Sequence, residues 1–396
     1  MKKRSFGPLI QDNRVQIIAA LGIILTAALL LMRLGSLPTH MSNHELQTYQ
    51  SNHYIQNILH NPLDAPYNVI DYAVLHIPGH AVAVARLTSV GFALIAALLF
   101  FLIMLRWHGK RTAWMASVLF ATSGWILHLG RLATSDILWL LIPLILILLS
   151  SWLTRTERSG TAITVVGALL GLMMFVPAAV WFVIAFVLLD SKDLFRHFRK
   201  AKPWQGAAAL GLITLCALIM AYTLFRTPDL IRTWAGLPQV LPSYMSMLKV
   251  WASSLVLYPF FRGPATPELW LAHTPILDAF TTMMFLLGVY FYATHFKNVR
   301  TRMLAVLVLL GSILTALNGP AGMSFIIPIV YLIAATGITY LLHQWLTVFP
   351  RNPVARFAGI TLVTLAIASA ASYHVIAYYV AWQHNPNAIA AFQRKP

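Results

Sequence analysis

Apolar runs of about twenty residues recur along the chain, separated by short stretches rich in Lys, Arg, Gly and Pro. A helix needs roughly 20 apolar residues to cross a bilayer, because each backbone polar group in lipid must be bonded inside its own segment. The pattern predicts spans near 15–33, 83–105, 112–130, 136–153, 205–225, 276–294, 303–317, 321–342 and 355–376. The run over 161–189 is longer and is interrupted at Pro177. Arg155 and Arg158 precede it, and Lys192, Arg196, Arg199, Lys200 and Lys202 follow it, so both of its ends belong on one side of the membrane. It is therefore predicted as a hairpin of two short helices, which brings the total to eleven.

Two connections are long, 34–82 and 226–275. Leu46, Tyr49, Ile55, Ile58 and Leu59, then Tyr67, Ile70, Val74 and Ile77, recur at roughly helical spacing and predict two interfacial amphipathic helices in the first. In the second, residues 245–261 form a moderately apolar run broken by Pro259, which suits a re-entrant or interfacial helix better than a twelfth span. No internal repeat is visible, which weighs against inverted-repeat transporter folds.

Composition agrees with a polytopic, all-α membrane protein. Of 396 residues, 59% are hydrophobic and 10% charged, and the mean hydropathy is +0.73. The formal charge of +17 comes from short clusters between the apolar runs, as orientation signals do, and not from a nucleic-acid-binding face. With the N-terminus cytoplasmic, 19 of the 28 Lys and Arg residues fall on the cytoplasmic side. The basic flank before the first apolar run and that run's length predict a retained span, not a cleaved signal. One transmembrane domain, 1–396, is expected, without a soluble C-terminal domain. Cys216, the single cysteine, lies in an apolar run and reads as a small buried residue.

The acids divide the opposite way. Asp12, Glu157, Asp190 and Asp193 face the cytoplasm, whereas Glu45, Asp64, Asp71, Asp136, Asp229, Glu268 and Asp278 lie outside or at the outer surface. Ionisable groups that persist beside a bilayer tend to be functional, so the chemistry is expected on the extracytoplasmic side. Glu45, in SNHEL, stands just before the first interfacial helix, where it suits either a general base or an N-terminal cap. Asp136, in GRLATSDI, is a second candidate. Thr134 or Ser135 can cap the following span, and the helix dipole favours an acid there, so a structural role also suffices for it.

Arg86, Arg131, Lys249 and Arg262 are predicted at the outer surface, against the positive-inside bias. A phosphate ligand explains such cations, as does snorkelling to lipid headgroups. His44, His53, His60, His76 and His80 contain no H-x-x-x-H pair, so a divalent metal has little support.

The order of these features resembles the bacterial GT-C glycosyltransferases of the protein mannosyltransferase and lipid A aminoarabinose transferase type. The matching stretches are NHEL, DAPYNVIDY, ARLTS, GRLATSD, the Pro177 hairpin, TPILDAFTTMMFLLGVYFY and the tail YYVAWQHNPNAIAAF, nearly the whole chain. The resemblance implies a GT-C bundle of about eleven spans in the bacterial cell membrane. It also implies transfer of a hexose or pentose from a polyprenyl-phosphate carrier to an extracytoplasmic glycolipid, polysaccharide or protein. Glu45, Asp136 and His44 are the catalytic candidates it points to, and Arg86, Arg131, Lys249, Arg262, Asp64 and Tyr67 the substrate contacts. Two departures stand out. The family's usual Asp-Glu pair reads His44-Glu45 here, and the late segment that often carries an Arg reads NGPAGMSFIIP, with Met323 and Ser324. The missing Asp keeps open a protein that binds lipid-linked sugars without turnover. A transporter of such lipids is a further alternative, although the acids sit at helix ends and none is predicted at mid-bilayer.

Overall fold

The computed structural model describes residues 13–394 apart from 158, 272 and 273; the basic flank over 1–12, with Asp12, and Arg158 lie outside the described residues. Among the described residues, five helices are long and apolar enough to cross a membrane: Ala81–Trp107, Pro203–Arg226, Val299–Asn318, Pro320–Val348 and Pro353–His384. Shorter apolar helices accompany them, including Ala19–Leu31, Ile137–Leu153, Ser159–Met173, Ala179–Leu189 and Ala279–Thr294. The protein is a multi-pass membrane protein. Among the described residues, the β-structure is a single antiparallel bridge between Met41 and Arg394.

One predicted span is broken for a local reason, and the predicted hairpin forms. The run over 112–130 divides into Lys110–Ala121 and Gly124–Leu129, because the Ser123 hydroxyl accepts from the Ile126 amide and restarts the helix. The Pro177 hairpin forms from Ser159–Met173 and Ala179–Leu189. Its turn is held from both long connections: the Asp64 amide donates to the Phe175 carbonyl at 2.7 Å, and the Trp234 indole donates to the Met174 carbonyl at 2.7 Å. Both long connections therefore lie at the same end of the bundle as this turn.

The first connection holds three short helices where two were expected, Asn43–Asn52, Ile55–His60 and Ala65–Leu75. Tyr54 takes an extended conformation and breaks the first of them. The Asn52 amide donates to Asn68 Oδ1 and Asp71 Oδ2, both at 3.0 Å, and so fastens the first helix to the third. In the second connection, Tyr244–Ala252 continues through a π-turn to Phe260 and lies against Val299–Asn318, where Trp251 donates to Ser312 at 3.1 Å. It is not among the membrane-length helices.

Helix packing in lipid relies on close backbone approach, because apolar burial offers little gain there. Ala279–Thr294 and Ile327–Val348 meet in this way: a Cβ on Gly288 would stand 2.0 Å from the Ile333 carbonyl oxygen, and one on Gly337 would stand 1.9 Å from that of Met284. Gly337→Val is expected to abolish recovery of folded protein from membranes. Gly91, with nothing within 4 Å of an added Cβ, supplies the control: Gly91→Ala should be tolerated and gain about 0.5–1 kcal/mol in thermal unfolding.

Candidate active site

Ser42, immediately after the irregular segment that follows the first apolar helix, starts the helix Asn43–Asn52 with a capping box. Its hydroxyl accepts from the Glu45 amide at 3.2 Å, and its own amide donates to Glu45 Oε2 at 3.0 Å. Glu45 is 0% exposed. Arg86, from the second span, reaches it with Nε on Oε1 at 2.8 Å and Nη2 on Oε2 at 3.1 Å, while the Ala133 amide donates to Oε1 at 3.0 Å. Both carboxylate oxygens are thus fully engaged. Arg86 spends its remaining donors on the carbonyls of Leu34, Pro38 and His40.

Arg131 has the same character. Nε donates to the Tyr378 hydroxyl at 3.0 Å, and the Nη groups donate to the Tyr379 hydroxyl and to the carbonyls of Leu30, Met32, Arg33 and Leu37. It is 0% exposed. Arg86 and Arg131, expected among the substrate contacts, have a protein acceptor for every guanidinium N–H. Tyr67 is likewise buried, bonded to Ser89 at 3.0 Å and stacked on Phe92, so it offers no surface to a ligand. Met323 and Ser324 are buried, Ser324 accepting from the Trp125 indole.

What remains open to chemistry gathers around Asp136. The segment over 130–136, fixed at one end by Arg131 and in the middle by the Ala133–Glu45 bond, presents Asp136 beside His44, whose Nδ1 lies 3.7 Å from Oδ2. The His44 side chain is 51% exposed and that of Asp136 only 14%. Ser135 donates to Asp64 Oδ2 at 2.8 Å, which draws a second carboxyl to the same place. Glu268 arrives from the other long connection, where Ser42, His44, Glu45 and Asp136 all act on its carboxylate. Sequence reasoning counted Glu268 among the outer acids and gave it no role, since nothing local marks it.

Burial pushes up the carboxyls of this cluster. The Asp64 pKa rises to about 7, chiefly by desolvation, with Ser135 opposing and Asp136 adding repulsion. Asp136 is raised by burial, against the pull of His44 and the Thr134 hydroxyl. Glu268 is raised by burial. Acids poised toward neutrality in this manner are suited to proton transfer. Lys249 and Arg262 are exposed and stand on the segment over 249–262. Part of that segment, including Trp251, Ser254 and Phe260, walls an apolar groove of about 440 Å³ against Ala279–Thr294 and Val299–Asn318. Among the described residues, no group of three or more His, Cys, Asp or Glu is placed to hold a metal ion.

No family model matches the sequence, and no curated protein matches it. Solved structures do. The oligosaccharyltransferase AglB of Archaeoglobus fulgidus, in complex with an inhibitory peptide and a dolichol-phosphate, superposes with TM-score 0.56 at 14% identity over 98% of this chain. ArnT of Cupriavidus metallidurans, bound to undecaprenyl phosphate, superposes with TM-score 0.55 at 11% identity over 96% of it. The fold is that of the GT-C glycosyltransferases. This chain spans 57% of the AglB chain and 77% of the ArnT chain. A structure of the Archaeoglobus fulgidus oligosaccharyltransferase tethered with an acceptor peptide superposes with TM-score 0.53 at 13% identity, covering 98% of this chain and 60% of the other.

Two measurements check the electrostatics of this GT-C fold. Glu45→Gln leaves the Arg86 charge buried without its counter-charge, so it should cost about 3–5 kcal/mol in detergent melting. Asp64 behaves differently, because its folded pKa lies above its unfolded value. The folded state then holds the extra proton between about pH 4 and 7, and the stability this group contributes is lost as pH rises through 7. Asp64→Asn should therefore flatten the fall in melting temperature between pH 5 and 8 that the parent protein shows.

Proposed function

We propose that the protein is a membrane glycosyltransferase that moves a hexose or pentose from a polyprenyl-phosphate carrier to an extracytoplasmic acceptor, a glycolipid, polysaccharide or protein. The observation that carries this reading is the meeting of His44, Asp136, Asp64 and Glu268 at one end of a GT-C fold. The polyprenyl phosphates bound by AglB and ArnT support the choice of carrier.

In the proposed step, the acceptor hydroxyl attacks the anomeric carbon while the bond from that carbon to the phosphate oxygen breaks. The phosphate leaves on its lipid with the bonding electrons, and the hydroxyl proton passes to the His44–Asp136 pair. Asp136 is the preferred base: burial raises its affinity for the proton, and His44 beside it stabilises the charged form. Glu45 is assigned to holding the loop, since its oxygens are fully bonded. For the leaving phosphate, Lys249 and Arg262 are the two of the four candidate cations that are exposed, and the adjoining apolar groove suits an isoprenoid tail.

His44 in the position of the family's Asp favours one competing reading, a binder of lipid-linked sugar without turnover. The mass profile of lipid-linked and surface glycans separates the two. Asp136→Asn should lower turnover at least about 100-fold with folded protein retained, and His44→Asp should preserve or raise it. A glycan profile that is identical with and without the protein would favour the binder.

A further inference from the structure

At the end of the bundle opposite the carboxylates, three arginines from three different parts of the chain meet around one cavity of about 680 Å³. Arg106 is in the last turn of Ala81–Trp107, Arg155 follows the end of Ile137–Leu153, and Arg300 is in the first turn of Val299–Asn318. Arg86 and Arg106 are twenty positions apart on one helix, which is about 30 Å at 1.5 Å per residue and close to the thickness of the hydrocarbon core. The charge bias of the loops makes this the cytoplasmic end.

The cavity is built, not merely basic. Arg300 is held over the Trp107 ring at 5.1 Å, and an Nη2 donor of Arg106 is fixed on the Ser151 carbonyl. Thr154 and Asn298 add polar groups to the wall. None of the described lining residues is acidic; Asp190 accepts a bond from Ser150 of the wall at 2.9 Å. His108, also in the wall, is bonded to Thr336 at 3.1 Å. Burial and the neighbouring Arg300 push its pKa down to about 4, so it is neutral at physiological pH. The positive charge therefore comes from guanidinium groups, which keep it at every physiological pH. Like charges brought together at a membrane boundary repel one another, and an anion relieves that cost.

We propose that this cavity binds a phosphate group, presented either by an anionic phospholipid headgroup or as a soluble phosphate. Planar guanidinium forks match phosphate oxygens, and basic pockets between membrane helices on the cytoplasmic side recognise acidic headgroups. The volume falls in the range of small-ligand sites, roughly 300–1,000 Å³. The site lies across the membrane from the proposed chemistry and does not depend on it.

Native mass spectrometry of the full chain in detergent tests this, with phosphatidylglycerol, phosphatidylcholine and inorganic pyrophosphate titrated separately. Phosphatidylglycerol or pyrophosphate should bind at least about tenfold more tightly than phosphatidylcholine, and the Arg155→Gln, Arg300→Gln double variant should lose that preference. Displacement of phosphatidylglycerol by pyrophosphate would identify a soluble phosphate as an adequate source, and selective lipid binding without displacement would identify the headgroup. Equal retention of the two lipids with no pyrophosphate binding, or unchanged affinity in the double variant, would overturn the proposal. If that variant does not fold, phenylglyoxal labelling of the parent protein decides. Phosphatidylglycerol or pyrophosphate should protect Arg155 and Arg300 while phosphatidylcholine does not, and no protection would count against the site.

Discussion

The buried pair of Arg86 and Glu45 sets the terms for everything at its end of the bundle. Two charges withdrawn from water are tolerable only when every donor and acceptor is satisfied. The geometry meets that demand with two bonds between the partners, three backbone carbonyls on the arginine and two backbone amides on the carboxylate. These partners come from the exit of the first span, the start of the first interfacial helix and the segment before the fourth span. One ion pair thus ties the 34–45 segment to Arg86 and to Ala133, both distant from it in sequence.

Arg131 extends the same principle. Together the two arginines accept the care of eight carbonyls between Leu29 and His40, a stretch that is largely irregular and lies where helical bonding has ended. Non-helical backbone at membrane depth persists only where protein groups satisfy it. This accounts for two buried guanidinium groups at this end of the bundle without a ligand. Tyr378 and Tyr379 bring the last long apolar helix to the same arginine, and the Met41–Arg394 bridge fastens residue 394 beside the first long connection. The loop over 130–136 is held between the two arginines, which is why Asp136 faces His44.

Most of the architecture was legible in the sequence. Span length and apolarity, the basic flanks of the Pro177 run and the spacing of Leu46, Tyr49, Tyr67 and Ile70 pointed to the bundle and its interfacial helices, because lipid leaves a chain few ways to satisfy its backbone. The candidate site was legible only in part. The stretches SNHEL and GRLATSD were recognisable as polar clusters beside apolar runs, and the structure brings them together. Their roles were not readable, because a carboxylate at a helix start looks the same in one dimension whether it is a cap or a base.

What the sequence determined by itself was therefore the apolar framework: which segments are apolar enough for lipid, and how few acids are spread among the polar stretches between them. Hydrophobicity and charge are properties of the residues themselves, so they can be summed along the chain. The tertiary structure decided which polar groups were already bonded. It closed Glu45, Arg86 and Arg131 within the protein, left Asp136 and His44 toward the surface, brought Glu268 in from more than 200 residues away, and gathered Arg106, Arg155 and Arg300 around one cavity. Hydrogen bonding is a relation between groups, and only the folded chain determines which groups meet.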